Sequence, residues 1–173
     1  MGKIKNLLAA AIFVLVSVAN VSATAVAFQL IQHDPVQDKV RSSSYIIENG
    51  LFDYFFDKGF IVTNSPTSVS SDSVQDEEIY YTALSDASAG YCDYFIVISI
   101  DYNTENSRNP DAMILSNIEK VNWSVFDLET GKKIGSGSRK IGRIDPVKDN
   151  EKGISAFTAQ VANDIFSFFK KKS

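Results

Sequence analysis

A single imidazole and a single thiol bound the chemistry open to this chain. Among 173 residues, His33 is the only histidine and Cys92 the only cysteine. A zinc site with four Cys/His ligands is outside that inventory, and a Ser-His-acid triad has only His33 to use. Cys92 has no cysteine to pair with. Its neighbour is Asp93 rather than a base, so it reads as a small buried hydrophobe, not a reactive thiol.

Carboxylates are the remaining candidates. Asp34, Asp93 and Asp101 fall at predicted strand ends, where α/β folds place sites. Paired carboxylates do acid-base work when their surroundings separate their pKa values. Each of these acids also suits a cap or a loop start. Asp101-x-Asn103-x-Glu105 opens like a calcium loop, but Asn106 stands where glycine belongs and Ala112 where a bidentate Glu belongs. The stretch Asp101 to Asp111 is therefore expected to be a solvated hairpin loop. Asp76, Glu77 and Glu78 are adjacent, so they do not converge on one cation; they favour the start of a helix through its dipole. Gly135-Ser136-Gly137-Ser138 lacks a GxxxxGK[ST] pattern and lies in a predicted strand, which argues against phosphate binding. No catalytic, cofactor or metal residue is assigned, and no binding residue is singled out.

Charge narrows the partners. The chain carries −4, and loss of Lys3 and Lys5 with a leader takes it to −6, which does not suggest a nucleic-acid partner. Against that background Lys132, Lys133, Arg139, Lys140, Arg143 and Lys148 form a local basic patch, interrupted by Asp145 alone. Such a patch can meet an anionic partner or a lipid surface. The favoured reading is a charged sheet edge that resists aggregation.

The elements that must position these residues follow from periodicity. Residues 1–25 read as a secretory signal peptide: Lys3 and Lys5, a short apolar run from Leu7 to Val18, then Ala23-Thr24-Ala25 as the cleavage pattern, with Val21-Ser22-Ala23 as a second option. Residues 26–173 remain as one domain; a 45% hydrophobic and 12% aromatic chain can build its core. Val26–Ile31 is a first strand. Asp34 as N-cap and Pro35 at the first position predict a helix to Gly59, with Gly50 a possible break. Its cluster Phe52, Tyr54, Phe55 and Phe56 is expected to be core. Phe60–Thr63 is a short strand, Asn64–Ser73 a loop, and Val74–Ala87 a second helix. The nearly continuous apolar run Tyr94–Ile100 predicts a central strand covered on both faces. From Ile118 to Ile141 a hairpin is expected, its first strand starting as early as Ala112. Val121, Trp123 and Val125 point inward, Asn122, Ser124 and Asp127 outward, and Gly131 lies in the turn. Ile154, Phe157, Val161, Ile165 and Phe168 mark a closing helix over about 150–170, ended by Lys170, Lys171 and Lys172. The result is an α+β domain: a single mixed sheet with about three helices in β-α-β-α-β-β-β-α order.

This layout resembles a group of periplasmic α/β domains: those of the curli-secretion channel subunit, the lipoprotein activators of penicillin-binding proteins, and the N-terminal domain of the Tol-system periplasmic protein. The matching pieces are VAFQLI, GLFDYFFDKGFIVT, CDYFIVISI, WSVFDLETGKKIGSGS and the closing helix. A lipobox cysteine, a channel insert and a following propeller domain are not seen. The resemblance implies a cell-envelope setting and carries over no functional residues. The expectation is a non-enzymatic periplasmic or secreted module that binds an envelope protein, with no integral membrane span once the leader is removed. The alternatives are a small-ligand or lipid carrier with an aromatic-lined cavity, and a carboxylate-dependent hydrolase.

Overall fold

The computed structural model describes residues 23–105 and 107–169. The charged and apolar segments of the expected leader, Asn106 and residues 170–173 lie outside them. The elements are β1 (Ala25–His33), α1 (Ser42–Asp57), β2 (Ile61–Asn64), β3 (Ser68–Ser70), α2 (Ser73–Ala89), β4 (Tyr94–Tyr102), β5 (Ile118–Asp127), β6 (Lys132–Lys140) and α3 (Glu151–Phe166). They form an α+β fold with one mixed sheet of six strands, ordered β2-β1-β4-β5-β6, with β3 also paired to β1. The β1 pairings with β2, β3 and β4 are parallel; β4–β5 and β5–β6 are antiparallel. This is the expected element order with one strand added.

The added strand has a simple cause. β2 pairs only the first half of β1, Ala25–Phe28. Pro66, which has no N–H to give a ladder, interrupts the segment. Ser68–Ser70 then resumes the pairing beside Ile31–His33. One strand's worth of edge is thus built from two short pieces, of which the second, Ser68–Ser70, is too short and polar to read as a strand in sequence.

α1 starts seven residues later than its cap-like Asp34-Pro35 pair predicts. Gln32, fully buried, supplies the loop instead: its Oε1 accepts from the Arg41 N–H at 2.8 Å and from Ser44 Oγ at 2.9 Å, and its Nε2 donates to the Lys39 carbonyl. These bonds, with the Val36 N–H donating to Asp34 Oδ1, hold the 34–41 segment in a non-helical turn. Val36 is exposed rather than core. Gly50 does not break α1. An ideal Cβ there would lie 2.9 Å from Thr158 Cγ2, so the glycine lets α1 and α3 approach closely. Gly59 ends the helix at φ 85° and Gly131 makes the hairpin turn at φ 66°, both as expected.

Two layers of helix cover the sheet unequally. On one face Ile47, Leu51 and Phe55 of α1 and Ile154, Phe157, Val161 and Ile165 of α3 bury the inward rows of β1, β4 and β5. On the other face α2 alone packs, through Ala83 and Ala87, on Ala27 and Phe95. Val97 and Ser99 stay half exposed, so β4 is fully covered on one face only. The hairpin differs in one register detail. Asp127 falls on the Val121–Trp123–Val125 row and is buried, its Oδ1 accepting from the Thr130 N–H at 2.9 Å; Phe126 instead joins the other face beside Tyr80 and Phe95. The strand also begins at Ile118, after a short 3-10 turn at Leu115–Asn117, rather than at Ala112. Glycine at 135 and 137 is required because Phe168 and Trp123 lie across those positions; an ideal Cβ would meet their rings at 2.4 and 2.6 Å. Among the described residues no helix is long and apolar enough to cross a membrane.

Candidate functional site

The carboxyl ends of β1, β3 and β4 converge with the start of α2 on a cleft of about 560 Å³, the kind of place where open sheets carry ligands. His33 ends β1 there, Ser70 ends β3, and Asp101 and Tyr102 end β4. α2 begins at the rim because Asp72 caps it, accepting from the N–H groups of Val74 and Gln75.

His33 is the centre of this end. Its Nδ1–H donates to Asp101 Oδ1 at 2.6 Å and its Nε2–H to Asp76 Oδ1 at 3.0 Å. The Asp101 bond holds the imidazole pKa above its usual value; burial opposes this, and the bond to Asp76 and the charges of both acids add to the rise. Asp101 responds in the opposite direction. Burial pushes its carboxyl up, but bonds to His33, Lys120 and Asn122 and the His33 charge together bring it below the usual range. Lys120 Nζ lies 3.2 Å from Asp101 Oδ2 and Asn122 Nδ2 lies 3.3 Å from it. In its protonated form the imidazole is a cationic clamp between the sheet and α2. Both its nitrogens are committed to carboxylates, leaving neither to take a proton from a serine.

The other acids are also engaged. Asp34 is buried and bonds the guanidinium of Arg41; its Oδ1 also accepts from the Val36 N–H at 3.1 Å and from Thr104 Oγ1. Arg41 reaches further, to the Pro110 carbonyl, and lies 5.3 Å from the centre of the Tyr102 ring. Asn117 Nδ2 donates to the carbonyls of Asn109, Pro110 and Ala112. The Asp101–Asp111 stretch is thus stapled to the sheet end, not a freely solvated loop. Asp93 sits at the other end of β4, roughly 26 Å away by strand rise, where its Oδ2 accepts from the Ala25 N–H at 2.7 Å. Of the three candidate carboxylates, Asp34 and Asp101 line the same cleft, each held by its own cationic partner, and Asp93 lies apart from both. Asp101 turns toward His33, not toward the Asn103 and Glu105 of a calcium loop. Among the described residues no group of three or more Cys, His, Asp or Glu side chains is placed to hold a metal ion. Burial, then the charge of Asp93, pushes the Cys92 thiol up, so it stays protonated.

The aromatic cluster divides. Phe55 is buried and meets Phe28, Phe60, Phe166 and Phe169 edge to face, filling the core. Phe52 and Phe56 face outward and stack on one another at 6.5 Å. With Tyr45 they make a stripe along α1, with Phe56 63% exposed. The stripe runs beside β2, tied to it by Asn64 Nδ2 donating to Glu48 Oε1 at 2.8 Å. Among the described residues β2 ends the sheet with no strand on its outer side, and Ile61, on the α2 side of the sheet, is 58% exposed. Helical spacing alone did not separate the inward from the outward rings, since nearly every position from 51 to 56 is apolar or aromatic.

These features define a class: a small α+β domain with a half-covered mixed sheet, whose titratable groups are spent on one another at the strand ends. A family model described as "Uncharacterised protein" matches residues 25–170, and the chain belongs to that family. No curated protein matches it. Among solved structures the chain is similar to the PelC dodecamer from Paraburkholderia phytofirmans at 11% identity, over 85% of this chain and 86% of that one, TM-score 0.48. It is similar to TolB from Acinetobacter baumannii at 12% identity, over 86% of this chain and 28% of that one, TM-score 0.45. It is similar to lipoprotein GNA1162 from Neisseria meningitidis at 14% identity, over 83% of this chain and 99% of that one, TM-score 0.45.

Proposed function

We propose that the protein is a non-enzymatic, periplasmic or secreted module of the cell envelope that binds another protein by accepting one of its extended segments along β2. The observation that carries the reading is the β2 edge, unpaired on its outer side among the described residues, with Phe56 and Tyr45 exposed on the α1 side of the sheet and Ile61 exposed on the α2 side. An unpaired edge offers main-chain hydrogen bonds to an incoming strand, and neighbouring aromatics supply anchoring area. The β6 edge is a poorer acceptor, because Lys132, Lys133 and Lys140 line it. The leader-like start supports the setting. The mutual engagement of His33, Asp76, Asp101, Asp34 and Arg41 supports a structural role for the groups that a hydrolase would need free.

Photo-crosslinking in cells tests this, with a photoreactive residue at Phe56 or Ile61 and a control at Lys133. One discrete protein adduct from the β2 positions, absent at the control, is expected. A folded, abundant protein giving no adduct at either β2 position would overturn the reading.

A further inference from the structure

The basic stretch that reads as one edge guard in sequence separates into two surfaces in the structure. Lys132 and Lys133 stand at the turn end of β6, with Lys133 6.0 Å from the centre of the Phe126 ring. Edge protection accounts for them. Arg139 turns to α3, where its Nη2 lies 2.7 Å from Asp164 Oδ2. Lys140, Arg143 and Lys148 lie at the far end of the strand, and the last two are beyond any paired residue of β6. Guarding a ladder accounts for Lys140 at the last rung but not for Arg143 and Lys148.

These three rim a cleft of about 340 Å³ that Leu115, Ile141 and Phe157 line with apolar surface. Among the described residues none of the three has a carboxylate within 4 Å. The one acid in the lining, Asp145, turns its Oδ1 to the Val147 N–H at 3.1 Å. Val147 itself projects from a 3-10 turn, Pro146–Lys148, and is 81% exposed. A single exposed valine means little alone. Its turn is flanked by Asp145 and Asp149, whose Oδ1 atoms accept the Val147 and Ser116 N–H groups at 3.1 and 2.8 Å, which leaves Lys140, Arg143 and Lys148 without an ion-pair partner among the described residues, in a chain whose net charge is −4.

We propose that this end of the molecule docks on the surface of an anionic lipid bilayer, with Lys140, Arg143 and Lys148 taking lipid phosphates and Val147 entering the headgroup layer. Cations around an apolar tip match the two halves of such a surface, charged outside and apolar beneath. The acidic remainder of the chain is repelled by the same surface, so docking has one orientation. The β2 edge lies on the opposite side of the sheet order and remains open, so this inference goes beyond the protein-binding reading and does not rest on it.

The test is sedimentation with vesicles, using the processed chain recovered from cells, on phosphatidylcholine alone and on phosphatidylcholine mixed with phosphatidylglycerol. Binding to the mixed vesicles, weakened by salt and absent on phosphatidylcholine, is expected. Arg143→Glu with Lys148→Glu should weaken it by about 25-fold or more, at about fivefold per cation. Val147→Asp should weaken it while leaving the salt dependence in place. Lys132→Glu with Lys133→Glu changes the net charge equally and should leave binding within about twofold, since those cations are distant from the surface. No binding to the mixed vesicles, an equal loss in both double variants, or retention of a poly-glutamate peptide in place of vesicles would overturn the proposal. The crosslinks at Phe56 and Ile61 should persist in the Arg143/Lys148 variant, which separates failure here from failure of the β2 reading.

Discussion

Because both nitrogens of His33 donate to carboxylates, its protonation joins α2 to the sheet. The His33 pKa is raised above 6.5, so its contribution is fully present below that value and is lost as pH rises through the raised one. The Asp101 pKa is lowered below 3.8, so its contribution is present above that value and is lost as pH falls through the lowered one. The clamp is therefore strongest between these ordinary values and weakens on the alkaline side. Urea midpoints of the wild type should fall as pH rises from the ordinary imidazole value through the raised His33 value. His33→Gln should cost about 1 kcal/mol at the acidic end and little at the alkaline end. An unchanged pH slope in His33→Gln would refute the clamp. None of this was legible in sequence. His33 is 68 residues from Asp101 and 43 from Asp76, and no spacing rule links residues so far apart. What was legible was an inventory: one imidazole and one thiol, with little scope for familiar catalysis.

At the scale of elements, periodicity succeeded where one face is buried and failed where a side chain overrode local signals. α3 shows both its stripe and its cap, Asn150 accepting from the Gly153 N–H. The start of α1 was misplaced because Asp34-Pro35 is a sound local signal, and only the fold reveals that Gln32 satisfies the loop and Arg41 claims Asp34. β3 was missed because a three-residue Ser-Val-Ser strand has no period to detect. Gly50 was read as a weak point of α1, whereas its function is in the packing between helices. An alanine there gains about 1 kcal/mol of helix propensity and loses about 1–3 kcal/mol to overlap with Thr158. Gly50→Ala alone should thus be destabilising by about 1 kcal/mol. On a Thr158→Ala background the overlap is gone, and the same change should stabilise. A double-mutant cycle by denaturant unfolding should show a coupling of about 1–2 kcal/mol; additive effects would mean that the helices are not in close contact at this point.

At the scale of the molecule, element order was readable because each piece carries its own pattern, but the surfaces were not. The freedom of the outer side of β2 depends on β1 lying inside the sheet and β2 at its edge, a placement set by crossovers rather than by sequence neighbours. The same sheet bears on where the expected leader would be cut. Of the two cleavage patterns, Ala23-Thr24-Ala25 would leave Val26 first, and Val21-Ser22-Ala23 would leave Thr24 first. Thr24 and Ala25 already belong to the fold. The Thr24 carbonyl accepts from the Ile61 N–H at 2.9 Å, the Ala25 carbonyl accepts from the Asp93 N–H at 2.9 Å, and the Ala25 N–H donates to Asp93 Oδ2. Cutting after Ala25 removes these bonds and strands the partner groups of β2 and of the approach to β4. Net hydrogen bonds contribute about 1 kcal/mol each, so this loss is a substantial part of a small domain's stability. Cutting after Ala23 keeps all of them and sets the new α-ammonium on Thr24, next to the residue that bonds Asp93. The mature protein should therefore begin at Thr24, and intact mass measurement on protein recovered from outside the cytoplasm decides it. A mass that begins at Val26 would show that the sheet forms without its first rung, and that β2 is held chiefly by α1.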